Sequence, residues 1–260
     1  MMATFSAQLI GGPTALLDYA GLRWLTDPSL SPPGQYGWLM KTAGPAISPE
    51  EIGSVDVVLL SHDHHPDNLD PAGRNLLPHV GTVLTTPAGA DRLGGNAVGI
   101  APGGSSDLFG TGGMPVTVTA VRAQHGPDGS DEVMGPVTGF ILAAPGAGKV
   151  YVSGDNASLD VVRAVADAHG PIEVAVLFVG AVQRDAEFGG AYLTLSSERA
   201  AEAALILGAR HVIPVHYEGW THFTQGATEL RAAFAGNQVL DRLVLLAPGE
   251  RVEFAVGAET

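Results

Sequence analysis

The apolar positions of this chain fall into short runs, each closed by glycine, proline or a polar residue, and none approaches the length of a membrane span. The stretch SAQLIGGPTALLDYAGLRWLTDP reads as strand-like runs broken by Gly-Gly-Pro and Tyr-Ala-Gly, a meander that opens a sheet. SVDVVLLS (Ser54 to Ser61) and GTVLTT (Gly81 to Thr86) are dense in β-branched residues and predict buried strands. Between them, Asp70-Pro71 predicts a helix start, with a capping carboxylate followed by a residue that has no N–H to satisfy. VGIAPGGSSDLFGTGGMP predicts an extended loop or an irregular strand pair. It lacks the Lys-Ser or Lys-Thr that a phosphate-cradling loop needs after its glycines.

VTVTAVRAQ (Val116 to Gln124) alternates as a half-buried strand, and VTGFILAAPGAGKVYVSGD (Val137 to Asp155) predicts two strands joined by a Gly-Ala-Gly turn. The period then changes. SLDVVRAVADAHGP carries apolar residues at Leu159, Val162, Val165 and Ala166, with Ser158 as cap and Gly170-Pro171 as stop, so it predicts an amphipathic helix. Strand VAVLFVG, helix SSERAAEAALILGA, strand HVIPVH, helix ATELRAAFAG and strand RLVLLAP complete the pattern. Strands first, then strands alternating with helices, predict two sheets with helices packed outside. Without a repeat, linker or shift in composition, residues 1–260 read as one domain.

Candidate chemistry sits where these strands end. LLSHDHHPDNLD (Leu59 to Asp70) holds three histidines and three aspartates, His125 follows the Val116 strand, Asp155 follows KVYVSG, and His216 ends HVIPVH. Side chains at strand exits on one edge of a sandwich stand on short, firmly held loops, which a preorganised metal site requires. His79, His169 and His211 read as surface or strand-edge residues, and Asp70 as the helix cap.

Composition narrows the chemistry further. The 260 residues include no cysteine, so a metal would be held by imidazole and carboxylate. With no cysteine and no Gly-x-Ser-x-Gly elbow, a covalent serine or thiol route has little support. Twenty-seven acidic against thirteen basic residues give a net charge of -14, which repels a phosphate backbone, so no nucleic-acid partner is expected. The opening MMATFSAQLIGG lacks a basic stretch followed by an apolar one, so neither membrane attachment nor export is expected and a cytoplasmic setting fits. A homo-oligomer is compatible with all of this.

In their order along the chain, IGGPTALLDYAGLRWLTDP, SHDHHPDNLD, AQHG, SGD and PVHYEGW resemble the opening hairpin and four metal motifs of the metallo-β-lactamase-fold hydrolases, particularly the ascorbate-phosphate-lactonase-like branch. The resemblance implies an α+β four-layer αβ/βα sandwich of two mixed β-sheets flanked by helices. One or two metal ions would lie in the cleft between the sheets, usually zinc and sometimes manganese or iron. The first motif departs from H-x-H-x-D-H, since Asn68 replaces the last histidine and one residue is inserted. Pairing His62 with His65 preserves the spacing to Asp67, while the other register keeps His62-x-His64. By the resemblance, one metal takes His62, His65 or His64, and His125, with Asp155 bridging or adjacent; a second takes Asp67, Asp155 and His216. Asn68, a weak neutral ligand, puts the second site in doubt.

The implied chemistry is metal-bound hydroxide attacking a small ester, lactone, amide or phosphoester, with Asp67 or Asp155 orienting it or taking its proton. His222 is the candidate to protonate a leaving group, and Trp220 and Arg184 are candidate pocket walls. The competing expectation is a metal-binding member of the fold that senses or binds without hydrolysing.

Overall fold

A computed structural model describes residues 3–257. The predicted meander forms as β1 (Ala3–Gly11), β2 (Thr14–Tyr19) and β3 (Leu22–Thr26), paired antiparallel. The chain then leaves the sheet for a hairpin, β4 (Gly34–Tyr36) and β5 (Leu39–Lys41), and a short helix, α1 (Pro49–Ile52). It returns as β6 (Val57–Leu59), parallel to β3, and continues through α2 (Pro71–Leu76), β7 (Thr82–Thr85), α3 (Pro87–Leu93) and β8 (Ala97–Gly99). Asp70 caps α2 by accepting from Gly73 N at 2.9 Å. Its other oxygen takes the buried Lys41 ammonium at 2.9 Å, tying the base of the hairpin to the helix.

The Gly- and Ser-rich stretch that follows is where the chain changes sheets, from β8 to β9 (Ser105–Phe109). The second sheet adds β10 (Pro115–Ala123), α4 (Asp131–Met134), β11 (Val137–Ala143), β12 (Val150–Val152), α5 (Leu159–His169) and β13 (Val174–Phe178). After α6 (Asp185–Phe188) and α7 (Ser197–Leu207) come β14 (His211–Val215), α8 (Ala227–Gly236) and β15 (Arg251–Val256). The sheets run β15-β1-β2-β3-β6-β7-β8 and β14-β13-β12-β11-β10-β9.

RLVLLAP does not form the expected strand. It makes only an isolated bridge, Val212 with Leu243, and passes the edge of β14. The closing strand is RVEFAV instead, which returns to the first sheet against β1. Its alternation was visible, but the apolar run before it is denser because Leu243 and Leu245 pack under helices while Val244 and Leu246 pack between the sheets.

Two-residue periodicity sorts the strands into layers. Leu17, Trp24, Val57 and Leu59 face inward and meet Phe140, Val152, Val176, Phe178 and Val215 of the second sheet. The alternate residues Leu16, Leu25, Val58 and Leu60 face outward under α1 and α2, while Tyr151, Ala175, Leu177 and Val212 face α5, α7 and α8. The result is helices, sheet, sheet, helices, as the resemblance implies. No helix of the described residues is long and apolar enough to cross a membrane.

Candidate metal centre

Four strand exits converge on one rim of the sandwich. β6 delivers His62, His65 and Asp67 from the first sheet; β10, β12 and β14 deliver His125, Asp155 and His216 from the second. The Ser-Gly-Asp turn after β12 requires its glycine. Gly154 has φ +57°, and a Cβ there would lie 2.5 Å from the Thr138 carbonyl and 2.9 Å from Ser61 Cβ, so only glycine lets Asp155 come so close to the β6 exit.

The first group is His62, His65, His125 and Asp155, whose ligand-type atoms lie within 4.8 Å of one another. His62 Nε2 is 2.8 Å from His65 Nδ1, and His125 Nε2 is 3.5 Å from Asp155 Oδ2. Two of these rings are aimed from behind. Ser61 Oγ donates to Asp27 Oδ2 at 2.5 Å and so accepts from His62 Nδ1 at 2.9 Å, leaving the Nε2 lone pair for the centre. His125 Nδ1 donates to the Leu193 carbonyl at 2.8 Å with the same result.

Asp27, at the end of β3, also accepts from Ser61 N at 2.7 Å and from Asn68 Nδ2 at 2.9 Å. That amide donates to Asp155 Oδ1 as well, at 3.3 Å. Replacing Asp27 by asparagine is expected to weaken divalent-metal affinity by about 10–100-fold, the usual cost of losing an outer partner of a ligating histidine. Chelator competition measures it, and an unchanged affinity would remove Asp27 from any positioning role.

The second group is Asp67, His216 and His222. His216 Nε2 and His222 Nε2 lie 3.2 and 3.0 Å from Asp67 Oδ2, and Asp155 Oδ1 is 3.6 Å from His216 Nε2, so Asp155 stands between the groups. His216 sits at φ +63°, an uncommon backbone conformation for a residue with a Cβ, held by its N–H donating to the Gly12 carbonyl at 2.7 Å.

Burial lowers the imidazoles of His62, His65, His125 and His216. It holds His62 well below its ordinary range and brings His65 down to about 4 and His125 to about 3. It pushes Asp155 well up, helped by the neighbouring Asp67 charge, and raises Asp27 to about 7. Asp67 is also buried, but its hydrogen bonds with His216 and His222 outweigh that and hold its carboxyl low.

Neutral imidazoles gathered beside buried carboxylates suit a borderline divalent cation such as zinc. Among the described residues no lysine or arginine pairs with Asp67 or Asp155, so the donor set has no built-in counter-ion.

The metal-free protein should respond to acid accordingly. An imidazole lowered by folding contributes stability that is fully present above the unfolded value of about 6.5 and is lost as pH falls toward its folded value, with a limiting slope of about 1.4 kcal/mol per pH unit. The raised Asp27 and Asp155 act with the opposite sign, but four lowered imidazoles outnumber them. The melting temperature of chelator-treated protein is therefore expected to fall from pH 6.5 to 4.5, and a rise would contradict the buried neutral imidazoles.

His64 is turned away, its Nε2 donating to the Met134 carbonyl at 2.6 Å and its Nδ1 3.8 Å from Asp63, so the two registers resolve geometrically with His65 in the group and His64 outside it. His222 lies in the second group, its Nε2 3.0 Å from Asp67 Oδ2. Trp220 is buried, edge-on to Tyr36 and His222, rather than an open wall, while Arg184 lies over Trp38 at the mouth. His79, His169 and His211 lie outside both groups. The sequence reading did not single out Asp27 and Ser61, although Asp27 also follows a strand.

Comparison with known proteins identifies the family. The family model described as the beta-lactamase superfamily domain matches residues 23–217. The UPF0173 metal-dependent hydrolase of Pyrococcus furiosus is 27% identical over 209 residues, 80% of this chain and 85% of that protein. Its counterpart in Paracoccus denitrificans is 30% identical over 207 residues, 75% and 81% of the two chains. The crystal structure of isothiocyanate hydrolase from Delia radicum gut bacteria superposes with a TM-score of 0.81 at 20% identity, over 96% of this chain and 99% of that one. The chain belongs to the beta-lactamase superfamily, within the UPF0173 metal-dependent hydrolase family, and has the metallo-β-lactamase fold.

Proposed function

We propose that this chain hydrolyses a small ester, lactone, amide or phosphoester. It would hold one zinc ion firmly among His62, His65, His125 and Asp155, and a second ion more loosely among Asp67, His216 and His222. The observation that carries this reading is the aiming of His62 and His125 by groups behind them, with their Nε2 atoms left for the centre. When bound, a divalent cation supplies water whose pKa falls from 15.7 toward about 7, and it polarises the oxygen of the electrophile.

The chain's own residues do the rest. Asp155, between the groups, and Asp67, on the second, are placed to orient that water and take its proton. Ser61 is no nucleophile in this arrangement, its hydroxyl being engaged by Asp27 and His62. The unequal grip of the two sites is supported by the far nitrogens: those of His62 and His125 are partnered, whereas Nδ1 of His216 and of His222 is buried without a partner. Asn68 carries a second reading, a metal-binding member that does not hydrolyse, because its Oδ1 is likewise buried without a partner where the motif otherwise has an imidazole.

Zinc-loaded protein should be tested on chromogenic esters, lactones and phosphodiesters, with benzyl isothiocyanate included because of the fold likeness to isothiocyanate hydrolase. Turnover of at least one compound, absent in His125→Ala, is expected. Equal background rates for both proteins on every compound would favour the non-hydrolytic reading.

A further inference from the structure

We infer that the substrate lies in the cleft between the β4–β5 hairpin and α2, and that Trp38 selects a planar, apolar body such as an aromatic ring. This rests on the proposed function only for the position of the reacting centre. The cleft has a volume of about 520 Å³, in the range of small-molecule sites, and is walled by Tyr36 and Trp38 on the hairpin and by His64, His65, Pro66 and Leu69 on the other side. One donor residue, His65, stands in its wall. The cavity of about 430 Å³ between β10 and α5 is lined by none of the donor residues.

Trp38 is 57% exposed, while the chain buries its other two tryptophans, Trp24 and Trp220. An indole left in water at the mouth of a polar centre is available to a ligand. Its ring lies edge-on to His65 with centroids 6.4 Å apart, and its face carries the flat guanidinium of Arg184 at 4.8 Å. That face therefore already accepts a planar partner, and the contact bridges the hairpin to the α6 side. Such an exposed cation–π contact is weak and gives way to a flat ligand that brings its own apolar area.

The base of the hairpin is tied to the body of the molecule. Lys41 Nζ, at the end of β5, donates to the Ser29 carbonyl at 2.9 Å, to Ser29 Oγ at 3.0 Å and to Asp70 at 2.9 Å. The strand that follows Trp38 is thus anchored beside the cleft. A ring stacked on Trp38 would direct its reacting end past His65 toward His62 and His125, whose rings lie 4.7 and 5.3 Å from that of His65.

Two hydroxamates with the same metal-chelating head test this without relying on turnover. Titration calorimetry of the zinc-loaded protein is expected to show benzohydroxamate binding at least about tenfold tighter than acetohydroxamate. Trp38→Ala should cut that ratio to threefold or less, Trp38→Phe should restore most of it, and acetohydroxamate affinity should stay within twofold throughout. A wild-type ratio below threefold, binding of neither compound, or a ratio unchanged in Trp38→Ala would overturn the assignment. Trp38-dependent binding of benzohydroxamate without any binding of acetohydroxamate would keep the cleft and sink the metal centre. Hydrolysis with a KM indifferent to Trp38 would keep the centre and sink the cleft.

Discussion

Replacing His125 by alanine is expected to strip the chain of its firmly held divalent ion and to lower turnover by more than the roughly 100-fold associated with an outer partner. His125 offers Nε2 to the first group and is fixed by the Leu193 carbonyl. Its loss leaves three donors and one carbonyl without its imidazole partner. An unpaired buried carbonyl costs about 1–3 kcal/mol, within the 5–15 kcal/mol of ordinary folding stability, so the variant should still fold.

His64→Ala is the informative contrast. Its ring lies 4.8 Å from that of His62, yet it is spent on the Met134 carbonyl, so metal content after dialysis should match wild type. Elemental analysis of both variants decides the matter. An ion retained by His125→Ala and lost from His64→Ala would mean that the other register of the first motif is the working one.

His222→Ala should act on the second group alone. Asp67 and His216 remain, but the trio loses one of its two imidazoles, and the Asn68 Oδ1 is a weaker neutral donor than the imidazole that is lost. Metal stoichiometry at moderate free zinc is expected to drop from two toward one with the first ion's affinity within about twofold of wild type, followed by competition titration. If both ions stay and the rate instead becomes more sensitive to the leaving group's basicity, His222 is a proton donor and not a ligand. This residue tests how far the departure at Asn68 has been compensated from another part of the chain.

Much of this arrangement was legible in the sequence because strand exits are local events. An apolar run stops, and the next polar side chain stands at the rim; His62, His125, Asp155 and His216 follow that rule. What escaped depends on pairing between distant segments. β15 forms because β1 offers it an edge about 250 positions earlier in the chain, while RLVLLAP makes a single bridge at the edge of β14. The β4–β5 hairpin carries little apolar signal of its own and is held by Lys41 and Asp70. Asp27 resembled an ordinary turn residue before Pro28, and only the fold shows its carboxylate reaching Ser61 and Asn68. His64 and His65 were nearly equivalent by spacing, and Met134, seventy residues away, separates them.

The donor atoms hang from both sheets, His62, His65 and Asp67 from one and His125, Asp155 and His216 from the other. A shared cation therefore rivets the two halves of the sandwich along that rim. Resistance to heat becomes a property of the surrounding solution as much as of the chain, growing by RT ln(1 + [M]/Kd), about 4 kcal/mol at a thousandfold excess of ion over its dissociation constant. Sequestering the ion would loosen the seam between the halves before it disturbed either sheet.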